Sequence, residues 1–445
     1  MPTAFAAPLP GRAPSSRLYF LDWVRIVAFF LLIVYHVGMY YVSWGWHVKS
    51  PHASDSIEFL MMLSSPWRLT LLFLVAGVAS RLMLTSAAPA AFVRKRSWRL
   101  LLPLALGMLV IVPPQPFCEV IEKFGYQGSY RDFLGLYLSN YRGFQTGPHS
   151  HLVMPTWNHL WFVAYLWVYS VLLAGLFKVC GRYWESWSNL LGQLLTGWRL
   201  VLLPAALLAL LRLTMLERFP VTHALFDDWF NHAVYFSVFV VGALLARQAQ
   251  VWQAMAALRF VALGIALVVW ALFKVYASLP DELVSPSTMA WLLPLQRVVY
   301  ALGQWTAMLA ACGFARRHLN VDGAKRRYLS EAVFPVYIVH QSLIVLMAHY
   351  LKPVHLAALT EATILVVLTV CGSFAVFEMV RRVPMLRPLF GLGPRAALTE
   401  RLSERQAEPL TGQQNQQQNQ QQTQQQTEQQ TEQRAEHRAE QQTAQ

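Results

Sequence analysis

The sequence has 445 residues, of which 56% are hydrophobic and only 13% are charged, whereas soluble globular proteins usually carry about 25% charged residues. This composition argues against a soluble protein and favours one that lies in a membrane. The formal net charge of +13 would suit nucleic acid or anionic lipid, but its distribution along the chain argues against a nucleic-acid partner.

Ten apolar windows follow one another along the chain, each of roughly the 20 residues that a helix needs to cross a bilayer. They lie at 18–42, 58–84, 99–117, 158–179, 198–216, 232–248, 257–278, 291–315, 328–350 and 360–383. The third window is the weakest, because the prolines of PPQP end it early. We therefore predict an all-α integral membrane protein, a bundle of about ten transmembrane helices.

The basic residues are unevenly distributed around these windows. If the N-terminus is cytoplasmic and the helices alternate in direction, more than half of the 36 Lys and Arg residues fall at cytoplasmic ends. Such a bias is typical of multi-pass membrane proteins. We therefore expect both termini in the cytoplasm, the lipid bilayer as a partner, and a first window that stays in place rather than being cleaved as a signal peptide.

Three segments depart from this pattern. Residues 1–17 are expected to be a short cytoplasmic segment. Residues 118–157 form a long outer connection rich in Tyr, Gly and His, and a connection of this length is usually functional or disordered. Residues 395–445 are rich in glutamine and cannot bury enough apolar surface to fold, so we predict a disordered cytoplasmic tail.

The stretch LDWVRIVAFFLLIVYH (21–36) places three ionisable side chains in the first window. On a helix, His36 lies about 20° around the axis from Arg25 and about 16 Å further along it, and Asp22 is one turn from Arg25. Ionisable groups at this depth normally face a bundle interior or a watery cavity. They predict either a functional site or a structural Asp22–Arg25 pair with His36 hydrogen-bonded to a neighbouring helix.

Four further windows carry polar side chains within or beside the apolar run. They are Arg68, His159 with Asn158, Arg297 with Tyr300 and Gln304, and Tyr337 with His340. Polar helices that converge predict one buried site. The assignment is open for His159, which could instead be an interfacial anchor beside two tryptophans.

On the cytoplasmic side, RKRSWRLLLP (94–103) places Arg96 and Arg99 three residues apart, so that both can face one ligand. Arginine forks match phosphate oxygens, although arginines at such a helix end also serve topology and lipid headgroups. The four cysteines are far apart and form no C-x-x-C motif, so neither a disulfide framework nor a metal site is predicted.

Together these segments resemble the acyltransferase-3 family of integral membrane acyltransferases, and within it the subgroup of periplasmic glucan succinyltransferases. Arg25 and His36 resemble its Arg-x10-His signature, and Arg96 and Arg99 its cytoplasmic R-x-x-R pair. WHVKS (46–50), HLWF (159–162), VYIVHQSL (336–343) and FEMVRRVPMLRPLFG (377–391) resemble the glucan subgroup. The likeness covers 18–394, which we expect to be the membrane domain.

The resemblance implies a bacterial inner-membrane enzyme that takes an acyl group, succinyl or acetyl, from cytoplasmic acyl-coenzyme A. The acyl group would go to a hydroxyl of a periplasmic glucan or other extracytoplasmic carbohydrate, with no permanently bound cofactor and no metal. Arg96, Arg99 and Arg25 would bind the coenzyme phosphates.

The resemblance also implies roles for the intramembrane side chains. His36 would be the catalytic base, because histidine has a pKa suited to proton transfer near neutral pH. Arg25, oriented by Asp22, could also stabilise developing negative charge. His340 would orient the acceptor, carry a second proton or hold the acyl group. From the convergence of the polar helices, rather than from the resemblance, we expect four more side chains to bind substrate: Arg68, His159, Arg297 and Tyr337.

A proton-coupled transporter is the alternative from another class, with the stripe on the first helix serving as a proton path. The sequence shows neither an internal repeat nor a pair of interrupted helices of the kind that transporters use.

Overall fold

Helices make up nearly all of the regular structure of the described residues. The computed structural model describes residues 18–147, 150–279 and 285–393. The predicted N-terminal segment 1–17 and the predicted disordered tail 395–445 lie outside these residues. The helices are α1 Tyr19–Tyr41, α2 Glu58–Met61, α3 Arg68–Leu84, α4 Pro89–Leu106, α5 Pro114–Phe124, α6 Tyr130–Leu138, α7 Trp161–Cys180, α8 Trp184–Leu194, α9 Arg199–Met215, α10 Trp229–Leu245, α11 Ala249–Ala277, α12 Pro286–His318, α13 Ala324–Leu351, α14 Ala358–Arg382 and α15 Leu386–Leu389.

The predicted all-α membrane architecture is confirmed. Within the described part of the chain, 8 helical segments are long and apolar enough to cross a membrane. The two remaining predicted windows are α3 and α10, each of 17 residues, which is the lower end of the length that spans a bilayer, about 17–25 residues.

The third apolar window differs from the prediction. Helix α4 begins at Pro89, passes through a π-helical turn at Gly107–Ile111, and is followed at once by α5. Pro114 occupies the first turn of α5, where a missing backbone N–H costs nothing. The prolines therefore redirect this helical segment instead of ending it.

The long outer connection is folded. It contains most of α5, all of α6, and a short antiparallel pair of strands, β1 Gln145–Gly147 and β2 Ser150–His151. Its small hydrophobic core is built from Val120, Phe133, Tyr137, Phe144 and Met154. Aromatic packing therefore gives this segment a defined structure on the outer side of the predicted topology.

Two glycines allow α3 and α10 to cross closely. A Cβ atom on Gly77 would collide with the carbonyl oxygen of Phe239, and one on Gly242 would collide with that of Leu74. Small residues at helix crossings are the usual means of close packing in membranes, where apolar burial drives association only weakly. Arg68, at the first turn of the same helix α3, is only 2% exposed.

Helix α1 packs against α3, α12, α13 and α14. Its main packing partner is α13. The polar stripe predicted from Asp22 to His36 therefore lies on the helix that packs against Tyr337 and His340. This pairing determines the site.

Candidate active site

His36 and His340 form a direct hydrogen bond across α1 and α13. Nδ1 of His36 lies 2.9 Å from Nε2 of His340, and the two rings are stacked with their centroids 5.1 Å apart. His340 is only 1% exposed. The structure therefore brings together two histidines that lie about three hundred residues apart in the sequence.

The hydrogen bonds of this pair determine which nitrogen carries each proton. Nδ1 of His340 lies 2.7 Å from the carbonyl oxygen of Tyr337, and because a carbonyl only accepts, this nitrogen donates. In the neutral ring Nε2 of His340 must then accept from Nδ1 of His36. Nε2 of His36 is left with its lone pair, and it has no hydrogen-bond partner within the described ranges. His36 is thus oriented as a base.

His159 completes a group of three histidines. It is 6% exposed, its ring packs edge-on against that of His340 at 5.1 Å, and its Nε2 donates to the carbonyl of Ile338 at 3.0 Å. The hydroxyl of Tyr337 donates to the carbonyl of His159. These bonds fix the start of α7 against α13. No group of described residues has the arrangement of a metal site.

A glutamine that the sequence did not single out joins these elements. Gln115 of α5 donates to Ser342 Oγ at 2.7 Å and to His159 Nδ1 at 3.4 Å. Its Oε1 accepts from Asn158 at 3.0 Å and from Gln341 at 2.9 Å. Every amide hydrogen and lone pair of Gln115 is therefore used, and such a satisfied buried network fixes its members in one arrangement.

A second histidine–acid pair lies beside this network. Nδ1 of His47 is 2.5 Å from Glu119 Oε2, and Glu119 also binds Lys123 at 2.6 Å. Gln341 donates to Nε2 of His47 at 3.3 Å. His47 belongs to the quoted WHVKS segment, but its acid partner on α5 was not predicted.

The loop that carries His47 is anchored to the end of α1. Lys49 Nζ donates to the carbonyl oxygens of Met39 at 2.7 Å and Val42 at 2.5 Å, which have no helical partners of their own. Burial, with the nearby charge of Lys123, lowers the pKa of Lys49 to about 8. The anchored loop places the ring of Trp46 5.4 Å from that of His36.

These side chains surround a cavity of about 610 Å³. Its lining includes His36, His47, Arg68, His159, Tyr337 and Gln341. Tyr300 and Gln304 of α12 also line it. The predicted convergence of polar helices on one site therefore agrees with this arrangement.

Arg297 is placed differently from the other predicted substrate-binding residues. Its guanidinium pairs with Glu217 at 2.9 Å, and it is not among the described residues that line the cavity. Its neighbour Tyr300, one turn along α12, faces the cavity instead.

A second polar group lies at the other end of α1. Asp22 forms an ion pair with Arg326, which also binds Asp322 at 2.6 Å. Asp22 lies 3.7 Å from Arg25, so its main partner is one that the sequence did not suggest. Arg25 donates to the carbonyl of Ser330 at 3.3 Å, and its Nε is buried without a hydrogen-bond partner.

Arg96 and Arg99 approach Arg25 from α4. Arg96 donates to Ser170 Oγ at 3.2 Å and to Ser80 Oγ at 3.1 Å, and Arg99 donates to the carbonyl of Gly391 at 3.2 Å. Arg25 and Arg99 are both close enough to Arg96 to repel it electrostatically. Cations gathered in this way suit an anion such as phosphate.

An aromatic layer separates the two polar groups. The rings of Phe29 and Tyr337 lie 5.3 Å apart, and those of Phe162 and Phe334 lie 6.2 and 6.3 Å from Tyr337. Phe29, Phe162 and Tyr337 line the cavity, so they form the boundary between the histidines and the arginines.

The arrangement thus combines an oriented base in a cavity with a cluster of arginines near the opposite end of α1. A base of this kind can take a proton from a hydroxyl group, and His340 can accept the hydrogen bond of the resulting imidazolium. The arginine cluster can hold a phosphorylated molecule at the opposite end of the same helix.

Comparison with known proteins gives a family for this geometry. The family profile described as "Acyltransferase domain" matches residues 18–378. The protein named "Glucans biosynthesis protein C" of Escherichia coli strain K12 is 25% identical over 399 residues, covering 86% of this chain and 96% of that protein. The protein of the same name from Shigella dysenteriae serotype 1 matches equally, and that of Escherichia coli O139:H28 is 24% identical over 395 residues. No solved structure matches this chain.

The profile covers most of the chain and includes the helices that carry His36, Arg25, Arg96, His159 and His340. The resemblance inferred from the sequence is confirmed. This chain belongs to the acyltransferase-3 family of integral membrane acyltransferases.

Proposed function

We propose that this membrane acyltransferase transfers an acyl group from cytoplasmic acyl-coenzyme A to a hydroxyl group of a periplasmic glucan or a similar extracytoplasmic carbohydrate. The observation that carries the proposal is the hydrogen-bonded pair of His36 and His340, which leaves a basic nitrogen at the cavity. The glucan is suggested by the name of the relatives, whose match covers 86% of this chain and 96% of their own length.

The reaction balances with the groups present. Nε2 of His36 takes the proton of the acceptor hydroxyl, and the hydroxyl oxygen attacks the thioester carbonyl carbon. A C–O bond forms and the C–S bond breaks, and the leaving thiolate takes the proton from the imidazolium. His340 holds Nδ1 of His36 throughout, as the orienting partner of a catalytic histidine does in other acyl-transfer enzymes.

The donor is expected to bind at the arginine cluster. Arg96, held by two serines, and Arg25, with an unpaired Nε, can bind the phosphate groups of the coenzyme. The acyl-bearing arm would extend past Phe29 and Tyr337 to His36. Membership of an acyltransferase family favours this reading over the transporter.

The proposal places the protein in a bacterial inner membrane, with both termini and the arginine cluster on the cytoplasmic side. Reporter fusions test the orientation. We expect fusions after residues 50, 130, 220 and 355 to report the periplasm and those after 90, 190, 252 and 322 the cytoplasm. Inversion of two or more would put the arginines on the wrong side of the membrane for a cytoplasmic donor.

Mass spectrometry of periplasmic glucans tests the reaction itself. Cells that carry the gene should contain acyl-substituted glucans that are missing from otherwise identical cells without it. Complementation with wild-type protein should restore the substitution. Unchanged glucans in both strains would contradict the proposed acceptor, and purified protein that transfers no acyl group to any offered glucan would contradict the proposed reaction.

A further inference from the structure

The cavity beside His36 has a second wall, formed by α7, α10, α12 and the connection between α9 and α10. The residues that line the cavity from these elements include Trp161, His223, Tyr235 and Tyr300. None of these four side chains lies on α1 or α13, the helices that carry the histidine pair. Proton transfer at His36 uses none of them, so this wall is available to hold a substrate.

Several polar atoms of this wall have no hydrogen-bond partner in the described part of the chain. They are the hydroxyls of Tyr235 and Tyr300, both ring nitrogens of His223, and Oε1 of Gln304, whose amide nitrogen donates to Thr70 Oγ1 at 2.8 Å. None of these unpaired atoms is enclosed by protein, and the residues that carry them line the cavity. A small number of such polar groups in a largely aromatic pocket is what orients a bound molecule.

A buried carboxylate holds the connection that carries His223. Asp228 is 0% exposed, and it accepts from the backbone N–H groups of Thr222 at 3.3 Å and His223 at 3.1 Å. It also accepts from the Tyr165 hydroxyl at 2.6 Å and from Asn231 at 2.9 Å. A carboxylate with this many partners fixes the backbone around it, so the position of His223 is determined by the fold.

The backbone and ring of His223 are fixed individually as well. Its φ is 54°, a left-handed conformation that residues other than glycine seldom adopt. Its carbonyl accepts from Trp157 Nε1 at 3.1 Å, and its ring centroid lies 4.5 Å from that of Trp161. Unfavourable backbone conformations that the surrounding structure maintains are typical of binding sites. Here the conformation holds a histidine with two unpaired nitrogens at the cavity.

Aromatic packing orients the two tyrosines. The Arg212 guanidinium lies 3.6 Å from the centre of the Tyr300 ring, and the Tyr235 ring lies 4.8 Å from that of Phe73 and 5.8 Å from that of Trp161. These contacts involve the rings and leave both hydroxyls unpaired. Tyr300 is close enough to act electrostatically on Tyr235, so the two hydroxyls belong to one region of the wall.

The chemistry of these groups suits a sugar. A tyrosine hydroxyl donates and accepts, a neutral histidine offers one donor and one acceptor, and a glutamine oxygen accepts. Sugar hydroxyls also donate and accept, and the C–H face of a sugar ring can pack on an aromatic side chain. The cavity of about 610 Å³ lies within the range of small-ligand sites, about 300–1,000 Å³. His223 lies on the outer side of the predicted topology, where an extracytoplasmic sugar would enter.

We propose that His223, Tyr235 and Tyr300 bind the acceptor sugar and hold its ring so that one hydroxyl lies at Nε2 of His36. The inference rests on the proposed function, since it assumes acyl transfer to a carbohydrate at His36. Binding of the acceptor and removal of its proton would then depend on different helices. The pantetheine arm of the donor, which carries amide and hydroxyl groups, is the other source of the same chemistry.

The test measures the two substrates separately. The purified full-length protein in liposomes receives a neutral glucose oligomer and either succinyl- or acetyl-coenzyme A, whichever the wild type uses. KM is determined for the oligomer and for the donor, and binding of the oligomer is also measured without donor. Tyr235→Phe and Tyr300→Phe each remove one hydroxyl and keep the ring. Each should raise the KM and Kd of the oligomer about two- to tenfold, the usual effect of one neutral hydrogen bond, and leave the donor KM unchanged.

His223→Leu should raise the KM of the oligomer about tenfold, because it removes two polar atoms. His223→Gln should recover part of the loss, since its amide keeps one acceptor and a donor group. His355→Leu is the matched control, because His355 is also an outer histidine with a left-handed backbone, φ 51°, but does not line the cavity. Tyr276→Phe is the control for the tyrosines, since Tyr276 of α11 is likewise absent from the lining. Both controls should behave as the wild type.

The outcomes separate the sugar site from the reaction. Unchanged KM and Kd of the oligomer in the two Phe variants would overturn the site while leaving acyl transfer intact. A rise in the donor KM alone would assign these groups to the pantetheine arm and also overturn it. An equal loss toward both substrates would show a structural role. A wild type that binds the oligomer more tightly than the Phe variants do, but transfers no acyl group, would support the sugar site and contradict the proposed function.

Discussion

The two polar regions of α1 are built in opposite ways. Around His36 the hydrogen-bonded groups are histidine rings, amides, a carbonyl and a hydroxyl, and their bonds connect α1, α5 and α13. Around Asp22 the groups are cations held by carboxylates, carbonyls and hydroxyls. The first arrangement fixes proton positions and suits chemistry, whereas the second gathers positive charge and suits the binding of an anion. Changes to the outer region should therefore affect turnover, and changes to the inner region should affect donor binding.

The largest effect is expected at His36. His36→Gln keeps a polar side chain of similar reach but removes a group that accepts and releases a proton near neutral pH. Base catalysis typically contributes about 10²–10⁴-fold, so kcat for acyl transfer should fall by at least that lower figure. Protein level and acyl-coenzyme A binding should hold. Full acylation by the purified variant would remove His36 from the mechanism and leave His340 as the next candidate for the base.

A smaller effect is expected at His340, which we regard as a positioning residue. His340→Leu leaves Nδ1 of His36 without its acceptor, so kcat should fall about tenfold to a hundredfold, the usual effect of an unpaired buried donor. His340→Gln offers a carbonyl oxygen to the same nitrogen and should recover part of the activity. Equal activity of the Leu and Gln variants would show that the bond to His36 does not matter.

Inner-region variants should change donor binding more than kcat. Arg96→Gln and Arg99→Gln should each weaken acyl-coenzyme A binding about tenfold, because each removes a charged hydrogen-bonding group. Lysine should rescue only in part. Arg94→Gln removes an exposed charge from the same helix and is the matched control. If all three Gln variants bind the donor as the wild type does, the arginines of α4 serve topology only.

The helices could be predicted from the sequence, because apolar windows of bilayer length leave the backbone few alternatives. The fold of residues 118–157 could not, since its helices are short and its core consists of scattered aromatic residues such as Phe133 and Tyr137. Local patterns give no measure of how well such rings pack.

The chemistry of the site was visible from residue types, but its pairings were not. The polar stripe on α1 predicted that His36 and Arg25 face the bundle. The partner of His36 is 304 positions away, and Gln115 lies between the prolines that make the third apolar window the weakest. Arg326 stands in a basic run that by itself indicates only a cytoplasmic helix end, whereas its guanidinium is buried against Asp22. Long-range partners of this kind follow from helix packing, which no local pattern contains.

The smallest effect is expected at Asp22, where the comparison concerns stability. Asp22→Asn removes one carboxylate from Arg326, which is 3% exposed and keeps Asp322 as its second partner. Because Asp22 is 26% exposed, solvent already screens the pair, and the free energy of unfolding should fall by only about 1 kcal/mol. A thermal unfolding scan in detergent measures this change, with Asp322→Asn as the matched variant. The double variant should lose more free energy of unfolding than the sum of the two single losses, because Arg326 would then be buried without a counter-charge. If the loss in the double variant equals the sum of the two single losses, Arg326 does not depend on these two carboxylates together. The ion pairs of the inner region would then behave like those of an ordinary charged surface.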